Sequence, residues 1–204
     1  MKKAVIENLF PTPIYMTNID RSFTKQELQF VDNQKNKCSK NSGNINTKDN
    51  YILNRKEFKN VKKFLDQCCQ DYLEKIISPK NNIELYITQS WLNLCKKDQY
   101  HHGHKHPNSI LSGVFYLQTV DDDCISFDNT HRVDQIRPSI RDFNDYNSSL
   151  YNLPIEKNML VIFPSSLMHS VPPVKKDQVR VSLAFNTFIK GELGKDEQLA
   201  KVII

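Results

Sequence analysis

The chain has 204 residues, 39% apolar, 25% charged and 10% aromatic, with only five glycines against nine prolines. This excludes collagen-like and generally disordered chains, and the length suits one medium domain (1–204) with a sizeable core rather than two joined by a linker. The net charge of +5 is a mild basic excess: it permits an anionic ligand, does not indicate nucleic acid, and comes with no apolar run near the ~20 residues of a membrane helix.

Residues 1–10, MKKAVIENLF, hold two lysines but no apolar core of a secretory signal, so a cytoplasmic protein is expected. The five cysteines, Cys38, Cys68, Cys69, Cys95 and Cys124, are odd in number and form no CxxC pair. A disulfide framework and a zinc knuckle are both disfavoured.

In chain order, Leu9 to Tyr15 carries two prolines two residues apart, which rules out a helix interior and predicts an edge strand or docked extended segment. Thr24 and Glu27 have capping-box spacing and open a short helix. The polar stretch from about Gln34 to Asn50 reads as a mobile loop. From Asn54 to Ser78, Phe58, Val61, Phe64, Leu65, Cys68, Tyr72, Leu73 and Ile76 recur at steps of three and four. That is one apolar stripe on a long helix, capped by Asn54 with Glu57, and it needs a large partner such as a sheet.

From Ile83 the period changes to two. Strands are predicted at 84–95, 112–118, 124–127, 158–163 and 179–189. A helical part (about 20–78) followed by a β part (about 83–190) implies segregated α+β layers rather than βαβ units. There is no GxGxxG or P-loop signature.

Four of the six histidines crowd into His101-His102-Gly103-His104-Lys105-His106, and His169 stands far downstream. An HxH step in extended chain puts two imidazoles on one side, and a third from a distant strand completes a three-point metal site with open positions. His104 with His106 and His102 with His104 both have this step; His101 is left outside the set. In the last strand Arg180, Ser182, Ala184 and Asn186 share one face and Val179, Val181, Leu183 and Phe185 the other. The polar face suits a cavity holding an anion, with Arg180 as a bidentate fork. Antiparallel pairing across the turn at Pro172-Pro173 would bring Arg180 behind the metal.

These pieces together resemble the small phage and bacterial Fe(II)- and 2-oxoglutarate-dependent oxygenases of the prolyl-hydroxylase-like superfamily. The resemblance is carried by Leu9-Phe10-Pro11-Thr12-Pro13-Ile14, Trp91-Leu92-Asn93, His104 to Ser109, Ser112 to Leu117, Phe163-Pro164, His169 and Arg180-Val181-Ser182. It implies a mainly β α+β fold, a double-stranded β-helix (a cupin-like jelly-roll) with the N-terminal helices outside. It also implies Fe(II) on His104, His106 and His169, and 2-oxoglutarate on Arg180 with Ser182 and Tyr116 as hydrogen-bond partners. Asn93 or Asn186 would touch cosubstrate or substrate, and O₂ would complete the set. The superfamily has HxD or HxE where this chain has His106, so a carboxylate from Asp121–Asp123 or Asp128 is the alternative third ligand.

The activity implied is hydroxylation of a peptidyl residue, metabolite or nucleobase with release of succinate and CO₂. A cupin-like metal protein without 2-oxoglutarate is the alternative. The expected compartment is the cytoplasm, the host's if the chain is phage-encoded. The substrate partner is unknown, no membrane partner is expected, and a homodimer is compatible with the sequence. The insert Thr130–Asn152, with His131, Arg132, Arg137 and Arg141, would sit over the pocket mouth.

Overall fold

The computed structural model describes residues 4–129 and 138–204; His131, Arg132 and Arg137 lie outside them. Two antiparallel sheets face each other. In chain order the strands are β1 (Tyr15–Asn18), β2 (Cys38–Lys40), β3 (Ile45–Thr47), β4 (Ile83–Cys95), β5 (His101–His104), β6 (Leu111–Gln118), β7 (Cys124–Asp128), β8 (Leu150–Pro154), β9 (Met159–Pro164), β10 (His169–Val171), β11 (Arg180–Leu193) and β12 (Val202–Ile203). The large sheet runs β1-β9-β6-β11-β4-β3-β2, with β12 on β11, and the small one β5-β10-β7-β8.

Two helices precede the β core. In α1 (Lys25–Lys35) the Thr24–Glu27 capping box forms as expected, and the Glu27 carboxylate also takes two hydrogen bonds from Arg21. The stripe of α2 (Lys59–Tyr72) buries Val61, Leu65, Cys68, Cys69 and Tyr72 in one cluster with Leu92, Leu94, Phe115, Leu160, Leu183 and Phe185 of the large sheet. Each such fully buried aliphatic side chain contributes about 1.5–3 kcal/mol. Period-two alternation then leaves the other face of the large sheet for the space between the sheets. There Tyr116, Val161 and Phe163 meet Ile125, Phe127 and Leu153 in a second cluster.

Three local expectations are corrected. The stretch from Gln34 to Asn50 is not a mobile loop: β2 and β3 form a hairpin whose Ile45 and Asn46 pair with Leu94 and Asn93 of β4. The hairpin tip reaches the histidine strand, with Tyr100 N–H donating to the Gly43 carbonyl (2.9 Å) and His102 Nδ1 meeting the Ser42 carbonyl (3.3 Å). Gly43 has φ +86°, and a Cβ there would stand 2.8 Å from the Tyr100 carbonyl oxygen, so no larger residue permits the approach.

The long helix does not begin on an Asn54 cap. Two 3₁₀ turns (Ile52–Asn54 and Lys56–Phe58) lead into it, and the Leu53 N–H is satisfied by the Ser90 hydroxyl of β4 (3.0 Å); a π turn, Leu73–Ile77, ends the helix. Finally, β10 and β11 do not pair. They belong to opposite sheets, so Arg180 approaches the site from across the cleft.

Candidate metal centre and cosubstrate cleft

His104 ends β5, His106 follows it, and His169 opens β10, where it pairs directly with His104 and with Phe127 of β7. One ligand atom from each of the three histidines lies within 4.8 Å of the others. The His104 Nδ1 is 2.8 Å from the His102 carbonyl and the His169 Nδ1 is 3.0 Å from that of Leu167. A carbonyl only accepts, so both Nδ1 atoms carry the proton, and both Nε2 lone pairs are left for a cation. The His106 Nδ1 faces the Asn186 amide at 3.5 Å.

Burial keeps these rings neutral. His169 is pulled down to about 3 and His106 to about 4, in each case by desolvation first and the neighbouring His104 next, and burial also lowers His104. A neutral imidazole is what a metal needs.

His101, outside the predicted set, stacks on His104 (ring centroids 4.4 Å apart) and lines the cleft; burial holds it at about 3. The carboxylate alternatives are not brought to the histidines. Asp121 pairs with Lys176, Asp123 with Arg180, and among the described residues neither these nor Asp128 joins the cluster.

The cleft runs from the histidines between the sheets, and its wall on the large sheet is a ladder of rungs. Tyr116 of β6, Ser182 of β11 and Asn93 of β4 form one rung, and Val114, Ala184 and Trp91 the next. The polar face of β11 thus points inward. At one end Arg180, 3% exposed, sends Nε to Asp123 Oδ2 (2.8 Å) and Nη2 to Asp123 Oδ1. Burial disfavours the guanidinium, but the bonds and charge of Asp123 outweigh that and raise its pKa above the ordinary arginine value. Arg180 therefore does not offer a free fork, as the sequence reading supposed. It offers one remaining edge, whose Nη1 is buried without a partner, as are the Tyr116 hydroxyl and the Asn93 Oδ1.

Unpaired buried polar atoms are costly and call for a ligand. Two donors, Nη1 and the Tyr116 hydroxyl, suit the far carboxylate of 2-oxoglutarate, so the residues present fit that group. Asn186 is not with them: it lies behind His106, accepts from Ser112 (2.8 Å) and does not line the cleft. Arg141 is 95% exposed and pairs with Asp142.

The residues least visible in the sequence are His101, Asp123 and the serines behind Asn186. Only the crowding of histidines hinted at the first of them.

Residues 89–186 match the family model described as "Putative 2OG-Fe(II) oxygenase". No curated protein matches the chain. Among solved structures, a 2OG-Fe(II) oxygenase family protein from Burkholderia pseudomallei is similar at 14% identity, covering 85% of this chain and 84% of that one (TM-score 0.56). HygX from Streptomyces hygroscopicus, solved with nickel, 2-oxoglutarate and hygromycin B, is similar at 12% identity over 86% and 82% (TM-score 0.56). A Pseudomonas putida prolyl-4-hydroxylase is similar at 11% identity over 87% and 94% (TM-score 0.55). At these identities the likeness is one of fold, and that fold is the double-stranded β-helix.

Proposed function

We propose that this chain, whose residues 89–186 match the model described as "Putative 2OG-Fe(II) oxygenase", is an oxygenase of that kind and hydroxylates a C–H bond of an organic substrate. In the overall change one O₂ and one 2-oxoglutarate are consumed; one oxygen atom enters the substrate and the other enters succinate as CO₂ leaves. The observation that carries the reading is the pairing of three converging neutral imidazoles, His104, His106 and His169, with the unpaired donors of Arg180 and Tyr116 in one cleft. Iron with its cosubstrate supplies the oxidising power when bound.

The chain's own residues bind, orient and shield. His104, His106 and His169 would hold the metal, His104 and His169 through the Nε2 atoms that their Nδ1–carbonyl bonds leave free. The Arg180 Nη1 and the Tyr116 hydroxyl hold the far carboxylate, with Ser182 beside them on the Tyr116 rung. Asp123 fixes the plane of the guanidinium, which sets where Nη1 points. Phe163, packed edge-on against His169 (4.7 Å), Trp91 beside His106 (6.0 Å) and Phe185 keep water from the buried wall. The substrate class stays open to a peptidyl residue, a metabolite or a nucleobase.

A second reading, a three-histidine metal protein that takes no 2-oxoglutarate, draws on the Asp123 carboxylate already seated on Arg180. Anaerobic calorimetry of the Fe(II)-loaded protein with 2-oxoglutarate separates the two. Saturable one-to-one binding and succinate release under air are expected. No binding at millimolar 2-oxoglutarate would leave the second reading standing.

A further inference from the structure

Asn186 of β11 stands opposite an irregularity in its neighbour β4. The register against β4 shifts between Phe185 and Thr187, where Thr88 and Gln89 of β4 stand opposite the single residue Asn186, so the extra residue of the bulge lies on β4 and Asn186 keeps its pairing with Ser112 of β6. As the Asn186 amide stands, its Nδ2 lies 3.5 Å from His106 Nδ1 and its Oδ1 accepts from the Ser112 hydroxyl (2.8 Å). Behind Ser112 the contacts continue to Ser165 (2.8 Å), then to Ser109 (2.7 Å), and end on the carbonyls of Leu111 (3.0 Å) and Thr187 (3.1 Å).

We propose that this amide is turned over and that the chain of groups positions His106 as the third metal ligand: the Asn186 amide oxygen accepts the His106 Nδ1 proton, and its nitrogen donates to Ser112. The inference rests on the metal reading above.

The two ends of a primary amide fill nearly the same space, so the hydrogen-bond network decides which end faces which neighbour. Each serine hydroxyl has a single proton. With the amide oxygen toward Ser112, Ser112 must spend its proton on Asn186, Ser165 on Ser112 and Ser109 on Ser165. The contacts of Ser109 with two carbonyls then hold no proton. His106 Nδ1 would also have to accept, which places the ring proton on Nε2, the atom the metal needs.

With the amide turned over, the run of donors ends on a carbonyl instead of stopping short of it, and the Leu111 carbonyl already receives the Thr187 hydroxyl (2.9 Å). His106 gives to Asn186, Asn186 to Ser112, Ser112 to Ser165, Ser165 to Ser109, and Ser109 gives its one proton to a carbonyl, Thr187 or Leu111. All three Nδ1 atoms of the triad then carry protons and all three Nε2 atoms are free. Where relatives of this fold class hold a carboxylate that needs no tautomer, this chain has an imidazole that does.

Nitrogen-15 NMR of histidine-labelled, metal-free protein reads the tautomer directly. His106 is expected as the Nδ1–H form at neutral pH; an Nε2–H form overturns the proposal. Co(II) alone, followed by its visible absorption, measures the consequence. Asn186→Leu is expected to bind Co(II) about 10- to 100-fold more weakly, and Ser165→Ala several-fold more weakly although its side chain touches no ligand and the bond from the His106 N–H to its backbone carbonyl (3.0 Å) is kept. Asn186→Asp, which keeps an acceptor toward His106, is expected to restore affinity to within about threefold. Unchanged affinity in Asn186→Leu sinks the positioning role alone, whereas a wild type that binds no Co(II) brings down the metal reading and this proposal with it.

Discussion

Arg180 and Asp123 form a two-point ion pair across the facing sheets, with both side chains almost wholly buried (4% and 0% exposed). Truncating one partner of such a pair strands the other. Arg180→Ala should therefore cost about 3–5 kcal/mol of stability and weaken 2-oxoglutarate binding by about 30-fold or more, with metal content unchanged. An Arg180→Met, Asp123→Leu double variant should regain most of the stability but none of the affinity. Denaturant melts beside calorimetry would reveal this split, and recovery of binding in the double variant would contradict the assigned role.

Tyr116→Phe makes the opposite kind of change. Its hydroxyl is buried and unpaired, and burial pushes its pKa well above the ordinary tyrosine value. Removing it takes away a desolvation cost and no protein bond. The thermal midpoint should stay level or rise, while 2-oxoglutarate affinity falls by about 10-fold, the scale of one hydrogen bond to a charged group at ~1.4 kcal/mol. A variant that melts earlier with cosubstrate binding intact would refute this.

Acid should destabilise the metal-free protein through its histidines. In the unfolded chain they protonate near 6.5, whereas in the fold His106 is held at about 4 and His169 and His101 at about 3. Between these limits the unfolded state binds more protons, so stability is fully present above about pH 6.5 and drains away as pH falls toward 4 and 3. The fully buried His169 alone accounts for about 1.4 kcal/mol per pH unit in that window. A His169→Gln variant, melted from pH 7 to 5, should show a shallower loss than wild type; equal slopes would rule the effect out.

Gly113 lies beneath the Phe185 ring, and a Cβ there would come within 2.1 Å of the ring carbon Cζ. Gly113→Ala must displace a fully buried aromatic that also lines the cleft. Overpacking of this kind costs about 1–3 kcal/mol. A second change, Phe185→Leu, should relieve much of it, as a double-mutant cycle on thermal stability would record.

The architecture was legible wherever periodicity was strong. The switch from period 3.6 to 2 near Ile83, the α2 stripe and the inward polar face of β11 all follow from patterning of apolar side chains. The β2–β3 hairpin was missed because its strands are three residues each and mostly polar, stabilised by pairing with β4 rather than by an alternation of their own. The helix start was misplaced because the Leu53 N–H finds Ser90, 37 residues away, instead of a local cap.

At the site, the three histidines were readable from HxH spacing. Asp123 was weighed only as a metal ligand, since its 57-residue separation from Arg180 carries no sequence signal. His101 was left outside the set; alternation alone would turn a residue three positions away to the opposite face, yet the register shift between His169 and Val171 in the pairing of β10 with β5 goes with its stacking on His104.

The hairpin tip has one more effect. β5 is an outer strand of the small sheet, the kind of edge whose free amides and carbonyls invite pairing with a foreign strand. Here Ser42 and Gly43 reach over from the rim of the other sheet to hold His102 and Tyr100. The strand that ends in His104 is thus shielded from self-association by a turn whose approach depends on a missing side chain. A bulky residue at position 43 would surface first as concentration-dependent aggregation, before any change in chemistry.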